Sequence, residues 1–196
     1  MYYPQVGDGA FVAPNASVIG NVRVENDASI WYGTIVRGDA AKISIGMKSS
    51  LGDNCILNTS TGSDSGSPLH VGERVTVGNG SVLTGCTLEN ECSVEMGSVI
   101  SPGAVIGSRS VVGAGSVVLE GVKIPSGQMW SGSPARYIRD LTDAEKESIV
   151  ASVEKWSALA QRHLAQHKRT PAELTQDELR ASFEVLSHAH QHVYKY

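Results

Sequence analysis

The sequence predicts an all-β parallel β-helix of hexapeptide repeats followed by C-terminal α-helices, and three features predict it. First, a small aliphatic residue returns about every six positions at Val71, Val77, Leu83, Leu88, Val94, Ile100, Ile106, Val112 and Val118. A helix repeats near 3.6 residues and a half-buried strand near 2, so this beat is one short strand plus one turn, repeated. Three such units close a triangular coil, and each aliphatic points into a shared apolar column. Second, the residue after the aliphatic is often glycine (Gly72, Gly78, Gly107, Gly113), and the position four on is small: Val75, Ser81, Cys92, Ser98, Ala104, Ser110 and Ser116. Bulk at that corner would clash, whereas glycine and a small side chain let coils stack at about 4.8 Å. Third, the beat ends after Ile124, and helical periodicity follows a run of Pro125, Gly127, Gly132 and Pro134.

In chain order, the repeat begins at Val12, Val18, Val24, Ile30 and Val36, slips around Lys42, and resumes at Ile45, Leu51 and Leu57. Slips mark loops or irregular corners. Asn58 to Leu69 has no periodic aliphatics and reads as a loop pushed out of one coil. The short step from Leu83 to Leu88 needs a tightened corner around Gly85. The chain thus divides into a β-helix over 1–127, a turn-rich connection over 128–141 and a helical extension over 142–196. Thr142 to Glu145 is a capping box opening a helix whose stripe of Ile149, Val153, Trp156, Leu159 and Ala160 must pack on the flank of a β-helix, its own or a neighbour's. Thr170-Pro171 ends that helix near Lys168, and Thr175 to Glu178 is a second capping box before Leu179, Phe183 and Leu186.

At 196 residues and 41% apolar, the chain holds one buried core plus an appendage. A net charge of −4 gives nucleic-acid binding no electrostatic support. Twenty-one glycines against two phenylalanines suit the thin core of a solenoid. Cys55, Cys86 and Cys92 lack paired spacing and read as packed, reduced thiols. No apolar run reaches the roughly 18 residues of a membrane span, and Met1 to Ala10 does not read as a signal or transit segment. His188, His190 and His192 alternate, so on a helix they fall on opposite faces, and no Cys or carboxylate pattern supports them as metal ligands.

Ile30-Trp31-Tyr32-Gly33, Arg37-Gly38-Asp39, Asp53, Val77-Gly78-Asn79-Gly80 and Leu83-Thr84-Gly85-Cys86 together resemble the γ-class carbonic anhydrases. The exit Ile124-Pro125-Ser126-Gly127, Trp130, Gly132, Pro134-Ala135-Arg136 and Leu141-Thr142-Asp143 more narrowly resembles the carbonic-anhydrase-like subunits of mitochondrial respiratory complex I. The resemblance covers roughly residues 8–168. It implies a left-handed β-helix, against the usual right-handed crossover rule, and a trimer with sites between subunits. It also implies that Arg37 and Asp39 of the RGD element, with Asp53, lie at the trimer interface.

The same resemblance places the family's three zinc-ligating histidines at Asn58, Asn79 and Thr84. A hydrolytic zinc site needs about three strong nitrogen, thiolate or carboxylate donors plus an open position, and amide and hydroxyl groups are weak neutral donors. Gly52 replaces the glutamine that precedes the family's aspartate. The expectation is a chain without catalytic residues, metal or cofactor: a structural member of a heterotrimer with γ-carbonic-anhydrase homologues. That trimer would dock peripherally on complex I membrane-arm subunits, on the matrix side of the mitochondrial inner membrane. With two ligands from one chain and one from its neighbour, a trimer holding one such chain keeps at most one intact zinc site. Three alternatives stand beside this reading. They are a structural β-helix of another assembly, a chain shaping a zinc site or ligand pocket held by partner subunits, and an acyltransferase. The last would need a coil histidine as general base, and His70, expected at a corner or outward position, is the one coil histidine.

Overall fold

The computed structural model describes residues 3–59 and 66–167. The second capping box, the Phe183 and Leu186 stripe and the histidines at 188, 190 and 192 lie outside the described residues, as does the middle of the loop between Asn58 and Leu69. The chain winds into a parallel solenoid of about seven turns followed by one described helix, Asp143–His167. All nine aliphatics of the opening beat are buried to within 1% of full enclosure, and they form one continuous column with Val24, Ile30, Val36, Ile45, Leu51 and Leu57.

Each turn contributes one short strand to each of three faces. The third face is an eight-stranded sheet that adds strands strictly in chain order, from Phe11–Val12 through Ser29–Ile30 and Ser50–Leu51 to Gln128–Gly132 and Ala135–Asp140. The first face, with Ile56–Asn58, Val82–Thr84, Val99–Ile100 and Val117–Val118, and the second, with Leu69–Val71, Thr87–Leu88, Val105–Ile106 and Lys123–Ile124, are joined in one eleven-stranded sheet. The joint lies in Ser17–Val24 and Ile35–Ile45, two long strands that run through the corner without a turn. The slip around Lys42 is therefore absorbed inside a strand rather than extruded as a loop, with a register shift between Gly20 and Val22 on its partner. Gly85 does tighten its corner, at φ +47°, and its N–H reaches Asn58 O at 3.0 Å.

The small corner residues do more than make room. Ser49 Oγ donates to Gly72 O at 2.7 Å and accepts from Val75 N at 2.9 Å, and Thr34 Oγ1 donates to Gly52 O at 2.6 Å and accepts from Cys55 N at 3.0 Å. Ser81, Ser98 and Ser110 likewise donate to corner carbonyls. Where the coil bends, a carbonyl leaves the sheet ladder, and a buried hydroxyl is the smallest group that satisfies it.

The connection over 128–141 is ordered sheet. Gln128–Gly132 and Ala135–Asp140 pair antiparallel, with Trp130 opposite Tyr137 and their rings 6.5 Å apart. The glycine and proline that read as an irregular exit form a hairpin turn. The helix then begins as its sequence demands: Thr142 N donates to the Glu145 carboxylate at 2.9 Å and Glu145 N to Thr142 Oγ1 at 3.3 Å. Ile149, Val153 and Ala160 are buried, and Trp156 meets Trp31 edge to face at 6.0 Å. Trp31 in turn donates to Ser50 Oγ at 2.8 Å, and Gln161 Nε2 donates to Gly9 O at 2.8 Å. The stripe thus covers this chain's own third face.

Ser49→Ala is expected to lower unfolding stability by about 1–3 kcal/mol, because it strands a buried carbonyl and a buried N–H, and the shift in urea midpoint reads it. Arg139, followed by the Thr142 hydrogen bonds, holds the Glu145 carboxyl down to about 2. The cap is thus fully formed above the ordinary carboxylate range and is lost as pH falls through about 2. A carbon-detected NMR titration of the Glu145 carboxyl should find that midpoint, and in Arg139→Ala it should move back toward the ordinary range.

Candidate functional site

In these parallel strands the outward positions stack in register from coil to coil. Arg37 stands opposite Asn58, and Asn58 opposite Thr84, so three residues far apart in sequence form one outward polar row across the first face. Asp53 and Asn79 do not join that row. Both occupy the corner between the third and first faces, where side chains reach across to the neighbouring coil. Tyr32 N donates to Asp53 Oδ1 at 3.0 Å, and Asp53 N donates to Asn79 Oδ1 at 3.0 Å.

Asn79 has equivalents elsewhere in the solenoid. Asn26 Oδ1 accepts from Asp8 N at 3.0 Å, and Asn90 Oδ1 accepts from Glu73 N at 2.9 Å. Each of the three asparagines sits over a glycine of the preceding coil: Gly7 under Asn26, Gly52 under Asn79 and Gly72 under Asn90. A Cβ at Gly52 would run into Asn79 Oδ1, with Asn79 N at 2.8 Å and Val77 O at 2.9 Å, so no side chain fits there unless backbone moves. Gly52 and Asn79 form one structural unit, a bare corner with an amide lid. Sequence reading took them as two separate losses. The recurring Gly-then-Asn pairing at 7 and 26 and at 72 and 90 was the available signal.

Arg37 and Asp39 are half-exposed and close on each other, with Nη2 to Oδ2 at 2.6 Å. The Arg37 hydrogen bond holds the Asp39 carboxyl below the ordinary carboxylate range, and Ala40 N adds a contact at 3.1 Å. His70 lies mid-strand on the second face rather than at a corner, exposed, with Nδ1 2.8 Å from Ser44 Oγ. It therefore sits on a different face from Asn58 and Thr84. The three cysteines are buried and free, and burial pushes the Cys55 thiol up to about 11 and Cys86 to about 12, so neither is a nucleophile near neutrality.

The hexapeptide model described as "Bacterial transferase hexapeptide (six repeats)" matches residues 85–120. Gamma carbonic anhydrase 1, mitochondrial, of Arabidopsis thaliana is 41% identical over 168 residues, or 85% of this chain and 61% of that protein. Gamma carbonic anhydrase-like 2, mitochondrial, of the same plant is 49% identical over 150 residues, or 76% of this chain and 59% of that protein. The crystal structure of a hexapeptide transferase family protein from Anaplasma phagocytophilum matches at 37% identity and a TM-score of 0.76, covering 81% of this chain and 91% of that one. The chain belongs to the gamma carbonic anhydrase family. It spans about three-fifths of the length of these plant relatives.

A zinc ion does not suit the residues this family member presents. Asn58 and Asn79 offer neutral amides and Thr84 a hydroxyl, and the Asn79 carbonyl oxygen is already engaged by Asp53 N. Among the described residues no three His, Cys, Asp or Glu side chains cluster closely enough to hold a metal. Asn79→Ala is expected to cost about 0.5–1.5 kcal/mol of stability, as are Asn26→Ala and Asn90→Ala, because all three remove the same cap on an exposed corner N–H. Parallel denaturation of the three variants checks this equivalence.

Proposed function

We propose that this chain is a non-catalytic, structural gamma-carbonic-anhydrase-like subunit. It works as one member of a trimer with gamma carbonic anhydrase homologues, attached peripherally to the membrane arm of mitochondrial complex I on the matrix side. One observation carries the reading: of the three zinc-ligand positions implied by the family, none bears a strong donor, and the oxygen of Asn79 caps Asp53 N instead. Acidifying a water to a pKa near 7 requires about three such donors around an open position. The amide lid over Gly52 also closes the place of the glutamine that precedes the family's aspartate.

The mitochondrial setting is supported by relatives whose names carry it, one of them a carbonic anhydrase-like protein at 49% identity. Attachment to complex I rests on the exit sequence from Trp130 to Asp143 and its resemblance to the carbonic-anhydrase-like subunits of that assembly. Peripheral attachment is consistent with the helix Asp143–His167, since no described helix is long and apolar enough to cross a membrane.

The purified chain is expected to carry no stoichiometric zinc after dialysis against it, and to hydrate CO2 no faster than buffer in stopped flow. Tagged in its source cell and solubilised gently, it should co-migrate on a native gel with respiratory-chain subunits and His-bearing homologues. Stoichiometric zinc with metal-dependent hydration would overturn the silent reading. Migration as a small free trimer would overturn the complex I assignment.

A further inference from the structure

Where the second face turns into its corner, one position reads Gly7, Glu25, Gly46, Gly72, Glu89 and Gly107 from coil to coil, each stacked on the next by backbone hydrogen bonds. Only at Gly46 and Gly72 are two successive coils both without a side chain there. A Cβ on Gly46 would run into Gly72 O, and one on Gly72 would meet Asn90 N at 2.9 Å, so backbone packing keeps both bare. The result is a cleft of about 360 Å³ with a floor of plain backbone. That volume suits a small organic ligand rather than a lone ion. From Glu25 to Gly72 the floor spans two coil steps, about 10 Å, which is room for a short alkyl chain.

One wall of the cleft is the strand side, where Ser44 and His70 stand in register with Ser44 Oγ 2.8 Å from His70 Nδ1. In either tautomer of that pair Ser44 Oγ keeps a lone pair to accept from a ligand. The other wall carries Glu25, Met47 and Glu73. Met47 is 42% exposed and offers an apolar surface beside the carboxylates. The basic residues nearby are committed elsewhere: Arg23 bridges Glu25 at 2.7 Å, Lys48 bridges Glu154 at 3.2 Å and Arg74 bridges Glu91 at 3.6 Å. Among the described residues no cation bridges Glu73, whose backbone is held in place by Glu73 N donating to Asn90 Oδ1 at 2.9 Å.

This set of groups favours a cation. Carboxylates on the wall repel an anion, and among the described residues no three His, Cys, Asp or Glu side chains cluster closely enough to hold a metal. Acyl transfer by the Ser44 and His70 pair is also poorly served, because the floor's N–H groups are spent: Gly46 N donates to Val71 O and Gly72 N to Leu88 O, both at 2.8 Å, and neither is left for an oxyanion. An ammonium group has three donors to distribute, and the cleft supplies a carboxylate and a hydroxyl oxygen for them, with a thioether beside its stem.

We propose that this cleft binds a linear alkylammonium, its head held by Glu73 and Ser44 and its stem lying over Gly46 and Gly72 against Met47. The same chemistry is carried by a free diamine and by the lysine side chain of a partner protein. The site lies on a different face from Asn58 and Thr84 and does not depend on the silent-subunit reading.

Methionine-methyl NMR on the full chain tests it, because the chain has four methionines and Met47 alone lines the cleft. Cadaverine, a short linear diamine, should move the Met47 signal saturably and leave Met96 and Met129 in place. Pentanol, with the same stem and no charge, should leave all of them in place. Glu73→Gln should weaken cadaverine binding about tenfold or more, the loss of one charge-assisted contact. Circular dichroism identifies a variant that unfolds, and Ser44→Ala, expected to weaken binding about threefold, then carries the test. Cadaverine binding at least about tenfold tighter than acetyl-lysine methylamide supports a free diamine, whose second ammonium reaches Glu25, and near-equal binding supports a partner's lysine. A Met47 signal that does not move, one that moves only together with Met96 and Met129, an equal response to pentanol, or undiminished binding in a folded Glu73→Gln overturns the proposal. None of these readouts involves zinc or CO2 hydration, so the silent-subunit reading stands or falls separately.

Discussion

Stacking one coil directly on another, backbone to backbone, is the constraint on which the rest of this structure depends. Thr87 lies over Val105 and Val105 over Lys123, at intervals of three hexapeptides, and any departure from that interval must be absorbed locally. Extra residues near Lys42 are taken up by a strand that passes straight through a corner, and the residue missing before Leu88 is made up by Gly85 in a left-handed turn. The same constraint explains the charged corner. Lys48, Arg74, Glu91 and Arg109 adopt φ values between +55° and +60°, a conformation that costs an L-residue roughly 1–2 kcal/mol. Glu91 bridges Arg109 at 2.6 Å and Arg74 at 3.6 Å, but partly exposed pairs contribute only about 0–1 kcal/mol. The coil-to-coil hydrogen bonds, Arg74 N to Met47 O and Glu91 N to Glu73 O at 2.9 Å, hold the turn, and the ion pairs decorate it.

Because the column enforces the fold from inside, the outer surface is free to change its chemistry. Asn58 and Thr84 are outward on strands whose inward residues, Leu57 and Leu83, are completely buried. A substitution there leaves the buried column untouched. Asn79 differs, because a corner residue can reach the coil before it. Its amide fits the cap geometry that Asn26 and Asn90 already use, so the residue has a structural role of its own. Fold and surface chemistry can separate in this architecture because they occupy opposite sides of the same strands.

The inward half of this arrangement was legible in the sequence, since a single aliphatic per strand fixes both the period and the core. The capping box at Thr142 and the apolar stripe of the helix were legible too, although its target was settled only by Trp31 meeting Trp156. What escaped depended on residues distant in sequence and adjacent in space. The corner hydroxyls read as merely small, because their carbonyl partners lie a coil away. Because the loop before it hides where its strand begins, His70 read as a corner or outward residue, and the outward placement is the one it takes. The hairpin at Gln128–Asp140 was obscured because glycine and proline punctuate hairpins and irregular exits alike. An outward aliphatic strip on the first face was present as doublets, Ile35-Val36, Ile56-Leu57, Val82-Leu83, Val99-Ile100 and Val117-Val118, although Val105-Ile106 on the second face and Val111-Val112 on the third show the same pattern beside Ser29-Ile30 and Ser50-Leu51.

Those doublets bear on what the solenoid presents outward. An outward serine satisfies a sheet facing water or a helix, whereas a second aliphatic at the same place is exposed at some cost unless another surface covers it. On the first face the polar row of Arg37, Asn58 and Thr84 lies beside the aliphatic row of Ile35, Ile56, Val82 and Val99. Ile35, Ile56 and Val99 are the outward members of such doublets and stay more than a third exposed, so the first face carries apolar surface that the buried column does not itself require.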